Sequence, residues 1–332
     1  MSEILNAFAT AGKAAFGFQA IFFALLAIGI NVHFGYTGLL NFGQIAFAMV
    51  GGFGIAVSVS QWGLSFGVGV LVGLAAAVVL ALLLGLPTLR LRADYLAIVT
   101  IATAEGLRLV FRSVSATPVT GGTRGLSAFN AGFIDLSPWD PQGRHRILGT
   151  TWSGGELWVT LVGWLLVVLT SLLVWQLMRS PWGRVVKAIR EDEDAVRALG
   201  KNVYAYKIQS LVLGGVFGAL GGMVYAVSTG SVNPDQYQNA NTFLAYAALI
   251  LGGAARVLGP VIGAMILLFV LQFADTLLRA LIANGVIPEA LLTSTDVAQI
   301  RFVLVGVGLM LLLVFRPQGI FGDRREVMLD AR

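Results

Sequence analysis

Apolar runs recur along the chain at about residues 16–34, 45–60, 66–86, 93–111, 156–178, 206–228, 241–255, 259–283 and 300–316, and charged residues fall mostly between them. A bilayer-crossing helix needs roughly 20 apolar residues. The pattern therefore predicts an all-α integral membrane protein, a polytopic helix bundle of about nine transmembrane helices, with eight to ten as the range. Two runs, 45–60 and 241–255, are short for a full crossing. The first follows a glycine-broken polar stretch that includes Gly35, Gly38, Asn41, Gly43 and Gln44, which reads as a helix interruption. The two short spans also echo each other. Asn41 precedes Gly51 and Gly52 with Phe42 and Phe47 between, and Asn241 precedes Gly252 and Gly253 with Phe243 and Tyr246 between. Paired short or glycine-interrupted spans hint at two pseudo-repeated halves around a pathway. Chance is the alternative, because the chain holds 41 glycines.

The gaps set the orientation. With nine crossings and a cytoplasmic C-terminus, the inner side collects Arg90, Arg92, the seven cations of 179–207, Arg256, Arg316, Arg324, Arg325 and Arg332, fourteen of the 22 Lys and Arg residues. The outer side holds Lys13, Arg112, Arg124, Arg144 and Arg146. That excess favours this topology. An extra N-terminal crossing, or a re-entrant segment near residue 40, is the alternative. The 112–155 loop, with Gly121, Gly122, Gly125, Pro138 and Pro141 and no sustained periodicity, reads as an extracytoplasmic excursion with short ordered pieces. Residues 284–299, with Pro288, form a smaller outer loop, and 317–332 a cytoplasmic tail. The whole of 1–332 reads as a single transmembrane domain.

Composition agrees: 57% of residues are hydrophobic and 12% charged, against about 25% charged in soluble domains. Cysteine is absent and there are two histidines, His33 and His145, which excludes disulfides, zinc-thiolate sites and thiol chemistry and disfavours a histidine metal site. The N-terminus shows no basic segment, apolar run and cleavage site in the order of a removable signal peptide.

Catalytic motifs are missing. The Gly-Lys pairs, Gly12-Lys13 and Gly200-Lys201, lack the spacing and hydroxyl of a phosphate loop, so ATP-driven work would require a separate ATPase chain. No cofactor and no nucleic-acid partner is expected. Ionisable residues inside spans are costly and usually face a bundle interior or water. Glu105 and Arg108 lie three residues apart on one helix face, and Asp275 and Arg279 four apart. Each pair is either a gate or substrate contact, or a helix-stabilising pair near the outer interface, and the second reading is the simpler. Asp94 reads as an interfacial anchor and His33 as a satisfied polar residue near a span end. Asn31, Asn41, Gln44 and, through the echo, Asn241 are pathway candidates, since irregular backbone at membrane depth is tolerated where it is buried in protein or lines a cavity.

The charge-dense exception to the oily pattern is 179–207. Ser180 followed by Pro181 is a capped helix start, and Gly200 suits a helix stop. Val185, Val186, Ile189, Val196 and Leu199 form an apolar stripe. Arg184, Lys187, Arg190, Glu191, Asp192, Glu193 and Asp194 remain for solvent. A loop that only fixed topology would need neither the stripe nor an alternating acidic and basic face; a docking surface for a soluble partner explains both.

At these residues the sequence resembles the permease subunits of bacterial ABC importers of the branched-chain amino acid, or LivM-like, type. The string SPWGRVVKAIREDEDAVRALG at 180–200, followed by Ile208, is similar to that family's cytoplasmic coupling loop, although Glu193-Asp194-Ala195 replaces the general Glu-Ala-Ala. GYTGLLNFGQIAF at 35–47, LRLRADY at 89–95 with Glu105 and Arg108, TGGTRGL at 120–126, GGAARVLGPVIGA at 252–264 and FRPQGIFG at 315–322 extend the likeness over about 16–322. The resemblance implies a permease in the bacterial cytoplasmic membrane, surrounded by lipid. Its implied partners are two cytoplasmic ABC ATPase subunits, a second, LivH-like permease and an extracytoplasmic binding protein. It makes 179–207 the element seated in an ATPase cleft and puts substrate choice largely in the binding protein. Urea or short-amide permeases share these features. An ion-coupled secondary transporter would need acidic ligands at mid-membrane, and the acidic residues in spans are few and peripheral. A membrane enzyme would need the missing catalytic set.

Overall fold

Each of the nine apolar runs falls on a helix in the computed structural model, which describes residues 2–89, 93–147, 149–284, 297–316 and 318–322. Arg90, Arg92, Pro288, most of the 284–299 loop and most of the 317–332 tail lie outside the described residues. Helix α1 is Ser2–Phe16, α2 is Phe18–Ile30, α3 is Gln44–Ser60, α4 is Phe66–Thr88 and α5 is Ala93–Arg112. Two single-turn helices follow, α6 at Thr117–Thr120 and α7 at Ala131–Ile134. Then come α8 at Gly154–Arg179, α9 at Pro181–Glu191, α10 at Glu193–Ala198, α11 at Val203–Thr229, α12 at Asn239–Gly252, α13 at Gly259–Ala283 and α14 at Val297–Phe315. By length and composition five of these are fit to cross a bilayer: Phe18–Tyr36, Phe66–Thr88, Gly154–Arg179, Val203–Thr229 and Gly259–Ala283.

Helix α1 lies outside the nine runs. Its 15 residues span about 22 Å, short of the ~30 Å hydrocarbon core. It buries Ala7, Ala11 and Ala15 and sets Phe8 against Phe269 and Phe273 of α13, with ring centroids 5.9 and 4.9 Å apart. The α2 helix does not stop at Ile30. It widens into a π-turn at Asn31–Tyr36, and non-helical backbone then runs to Gly43. The expected interruption is therefore a π-turn plus an irregular segment, both inside the protein.

The core is built from two interlocked halves. Helix α2 packs against α11, α12 and α13, while α11 packs against α2, α3 and α4. Gly29 abuts Gly214, and Leu25 and Leu26 abut Gly221, so α2 and α11 run antiparallel. Through this antiparallel seam the segment α2–α5 packs on α11–α14. Small residues let these backbones meet. At Gly29 an added Cβ would fall on the Gly214 carbonyl and on Gln44 Nε2.

The 112–155 segment holds α6, α7, a two-stranded hairpin of Arg144–Ile147 with Thr150–Ser153, and the strand Leu126–Ser127. That strand pairs with Ser231–Val232 just after α11, Leu126 opposite Val232. At the head of α8, Ser153 and Glu156 form a capping box.

Candidate functional site

The charged segment folds as two helices where the sequence suggests one. Ser180 Oγ accepts from Gly183 N at 3.4 Å and Pro181 opens α9. The helix breaks at Asp192, whose Oδ1 accepts from the amides of Asp194 and Ala195 at 2.9 and 3.0 Å and starts α10. Four consecutive carboxylates explain the position. Inside one helix they would repel each other, and at the end of α9 they would face its negative pole. With the break at Asp192 only Glu191 is left at the end of α9, while Asp192 as cap and Glu193 and Asp194 in the first turn meet the positive pole of α10. Gly200, at φ +76°, closes α10: Gly200 N donates to Arg197 O at 2.9 Å and Lys201 N to Val196 O at 3.4 Å, a Schellman ending.

Val186, Ile189 and Val196 are buried, the last two with Val203. Leu199 departs from the expected stripe. It lies past the end of α10 and is 79% exposed. The acidic run is divided in use as well. Glu193 is bridged to both Arg197 and Lys207. Asp194 is paired to Arg197 at 3.1 Å with its side chain otherwise open to solvent, and Glu191 is exposed. Arg184, Lys187 and Ala195 are also exposed.

The basic side of α9 turns back toward the bundle. Arg190 Nη1 donates to Gly35 O at 2.6 Å, and Lys187 Nζ lies 5.6 Å from the centre of the Tyr36 ring, both in the π-turn. Gly38, at φ +75°, passes so close that a Cβ there would lie 3.3 Å from Arg190 Cγ. Trp182 Nε1 donates to Gln209 Oε1 at 2.8 Å, tying α9 to α11. A cavity of about 310 Å³ lies beside this junction, lined by Thr37, Gly38, Leu39, Arg190, Glu193 and Lys207 among others.

Behind the π-turn is a buried polar cluster. Asn31, His33, Asn41 and Gln44 are at most 1% exposed, and each is held by named partners. Asn31 Nδ2 donates to Arg256 O and its Oδ1 accepts from Ala255 N, both at 2.8 Å. Gln44 Oε1 lies 3.0 Å from His33 Nε2, and Gln44 Nε2 donates to Gly214 O at 2.8 Å. Asn41 Oδ1 accepts from Gly43 N at 2.9 Å, and its carbonyl from Tyr246 Oη at 2.8 Å. Thr100 and Thr242 hydroxyls take the amides of Phe42 and Ile45. Irregular backbone at this depth is thus satisfied by side chains. His33, expected near a span end, is fully buried because the helix continues past it as the π-turn.

On the opposite side, Arg108 joins two elements. It donates to Glu105 at 2.5 to 3.2 Å and to Asp235 Oδ1 at 2.6 Å. Asn239 Nδ2 donates to Glu105 Oε2 at 3.2 Å, and Arg112 lies 3.6 Å from Asp235. The Glu105–Arg108 pair is therefore part of a cluster clasping α5 to the α11–α12 connection, which sequence spacing could not show. Asn241 donates to Gln236 O within that connection. Asp275 and Arg279 pair along α13 at 2.9 Å.

Residues 14–314 match the family model described as the permease component of branched-chain amino acid transport systems. The chain is 30% identical over 312 residues to the high-affinity branched-chain amino acid permease protein LivM of Salmonella typhimurium, covering 91% of this chain and 68% of the relative. It is 29% identical over 307 residues to the Escherichia coli K12 protein of the same name, covering 90% and 67%. A probable LivM of Methanocaldococcus jannaschii is 25% identical over 335 residues, covering 90% of each chain.

Proposed function

Because the chain belongs to the family of permease components of branched-chain amino acid transport systems, we propose that it carries branched-chain amino acids inward as one membrane subunit of an ABC importer. As a permease it is a transport subunit and not an enzyme. The proposed partners are two ATPase subunits on the cytoplasmic side, a second, LivH-like permease and an extracytoplasmic binding protein that selects the substrate. The C-terminus and 179–207 are then cytoplasmic.

One observation carries the mechanism: α9 and α10 present Glu191, Asp194, Ala195 and Leu199 outward, while Arg190 of the same unit bonds to Gly35 of the π-turn. An ATPase that grips the outward face moves α9. Through Arg190 and Lys187 that motion reaches the π-turn, where a helix already departs from regular geometry. In this reading Asn31, Asn41 and Gln44 act as the hinge of the interruption, and the Glu105–Arg108–Asp235 cluster as a clasp on the far side. The exposed Leu199 makes the docking testable without disturbing internal bonds. Leu199→Asp should reduce ATPase-subunit recovery with the affinity-purified permease by tenfold or more, since burying a leucine contributes about 1.5–3 kcal/mol. Unchanged recovery would remove α10 from the docking surface.

A further inference from the structure

Beyond the α9 junction, with which it shares Lys187 and Tyr36, lies a groove that the reading above leaves unassigned. It has a volume of about 850 Å³ and runs along α8, bounded by the start of α13 and by the turn before it. Its lining changes character along its length. One end carries Arg179, Lys187 and Arg256, and no Asp or Glu is among the lining residues. The body is walled by apolar side chains with Trp175 near the basic end and Trp164 at the other. Trp164 and Arg179 are fifteen residues apart on one helix, about 22 Å of rise, which exceeds half of the ~30 Å hydrocarbon thickness. The groove therefore starts at one bilayer surface and passes the midplane.

The cations at its mouth are arranged for an anion. The Arg179 guanidinium lies over the Trp175 ring at 4.0 Å; stacking uses its face and leaves the N–H edge for hydrogen bonding. Lys187 sits over Tyr36. Among the described residues neither Arg179 nor Lys187 forms an ion pair. Midway along the body, Ser171 lies on the groove lining and is 7% exposed.

We propose that this groove binds an anionic phospholipid, the phosphate at Arg179 and Lys187 and one acyl chain along α8 between Trp175 and Trp164. Charge complementarity selects the headgroup, and the length and dryness of the body select a lipid over a soluble phosphate. Basic pockets between membrane helices bind anionic headgroups on this principle. The assignment of the lipid to the cytoplasmic leaflet rests on the orientation proposed above; the chemistry of the groove does not. Since Lys187 belongs to α9, the lipid would brace the element that meets the ATPase.

The test is native mass spectrometry of the full-length chain released from mixed micelles of dioleoyl phosphatidylglycerol and dioleoyl phosphatidylcholine. The wild-type chain should retain the phosphatidylglycerol adduct preferentially. Arg179→Gln and Lys187→Gln should each lower retention by about fivefold. Ser171→Phe should lower it with the basic mouth intact, by filling the groove. Equal retention of phosphatidylcholine, undiminished adducts in these variants, or displacement by glycerol phosphate alone would overturn the proposal. The readout is binding to the isolated permease. A failure of amino acid transport would count against the importer reading and leave the adduct ratio unaffected, while labelling of a cysteine at Ala195 from outside intact cells would overturn only the leaflet.

Discussion

Arg190→Ala is the sharpest perturbation of the proposed link between docking helix and bundle. The Nη1–Gly35 O bond is 2.6 Å long and joins an ionised donor to a carbonyl of the π-turn. Hydrogen bonds to charged groups contribute about 1.5–3 kcal/mol. Arg190 is an exposed residue whose bonded end is part-buried, which places the bond at the lower end, about 1.5 kcal/mol. That corresponds to about a tenfold shift in the fraction of molecules with α9 seated on the π-turn. The acidic and apolar outward face is untouched, so assembly with the ATPase should persist while its work reaches the bundle less often. The assay is the ratio of amino acid transported to ATP hydrolysed by the assembled importer in proteoliposomes. Arg190→Ala should lower that ratio several-fold with hydrolysis preserved. Arg190→Lys should recover part of it, since a point charge can reach the carbonyl without the planar fork. An unchanged ratio, or loss of assembly instead of coupling, would refute the reasoning.

Two further outcomes concern the interior. Gly29→Ala should destabilise the chain by about 2–4 kcal/mol in detergent thermal unfolding, because the new methyl displaces Gln44 from Gly214 O within a packed seam; Gly12→Ala, which meets open space within α1, serves as the control and should stabilise by up to about 1 kcal/mol. Arg108→Ala should cost about 1 kcal/mol, since Glu105 and Asp235 lose their shared cation but are both partly exposed, whereas Asp235→Asn, which keeps the i,i+3 pair, should cost about half of that or less in the same measurement.

The apolar pattern located nine helices because a long apolar run is legible whether its side chains face the bundle or, as over much of α4, α8 and α13, lie on its outside. Details at helix ends depended on bonds that periodicity does not encode. Asp192 as a cap was hidden among three other carboxylates, although capping preference and the helix poles could have placed the break there. Leu199 follows the stripe in spacing and leaves it in space because α10 ends one residue earlier. Helix α1 left a readable trace, alanines at 7, 11 and 15 on one face, too weakly apolar to stand out beside true spans. The Arg108–Asp235 bridge and the Leu126–Val232 pairing are products of tertiary folding between segments more than a hundred residues apart. Asn31, Asn41 and Gln44 stand out as polar residues in a glycine-broken stretch beside a span, but the distant residues that satisfy them, Gly214, Tyr246, Ala255 and Arg256, are not legible from that pattern.

The interlocking of the halves bears on how the chain can be made. Ribosomes deliver α2–α5 long before α11–α14, yet the polar groups of the first half find their partners in the second: Gln44 at Gly214, the Asn41 carbonyl at Tyr246, Ile45 at Thr242 and Asn31 at the Ala255–Arg256 backbone. Neither half is a self-sufficient folding unit. During synthesis the newly inserted N-terminal helices must hold Asn31, Asn41 and Gln44 in the bilayer without those partners, kept company by water, lipid headgroups or an insertion chaperone. Completion of α12 and α13 is the step at which the early helices can finally close.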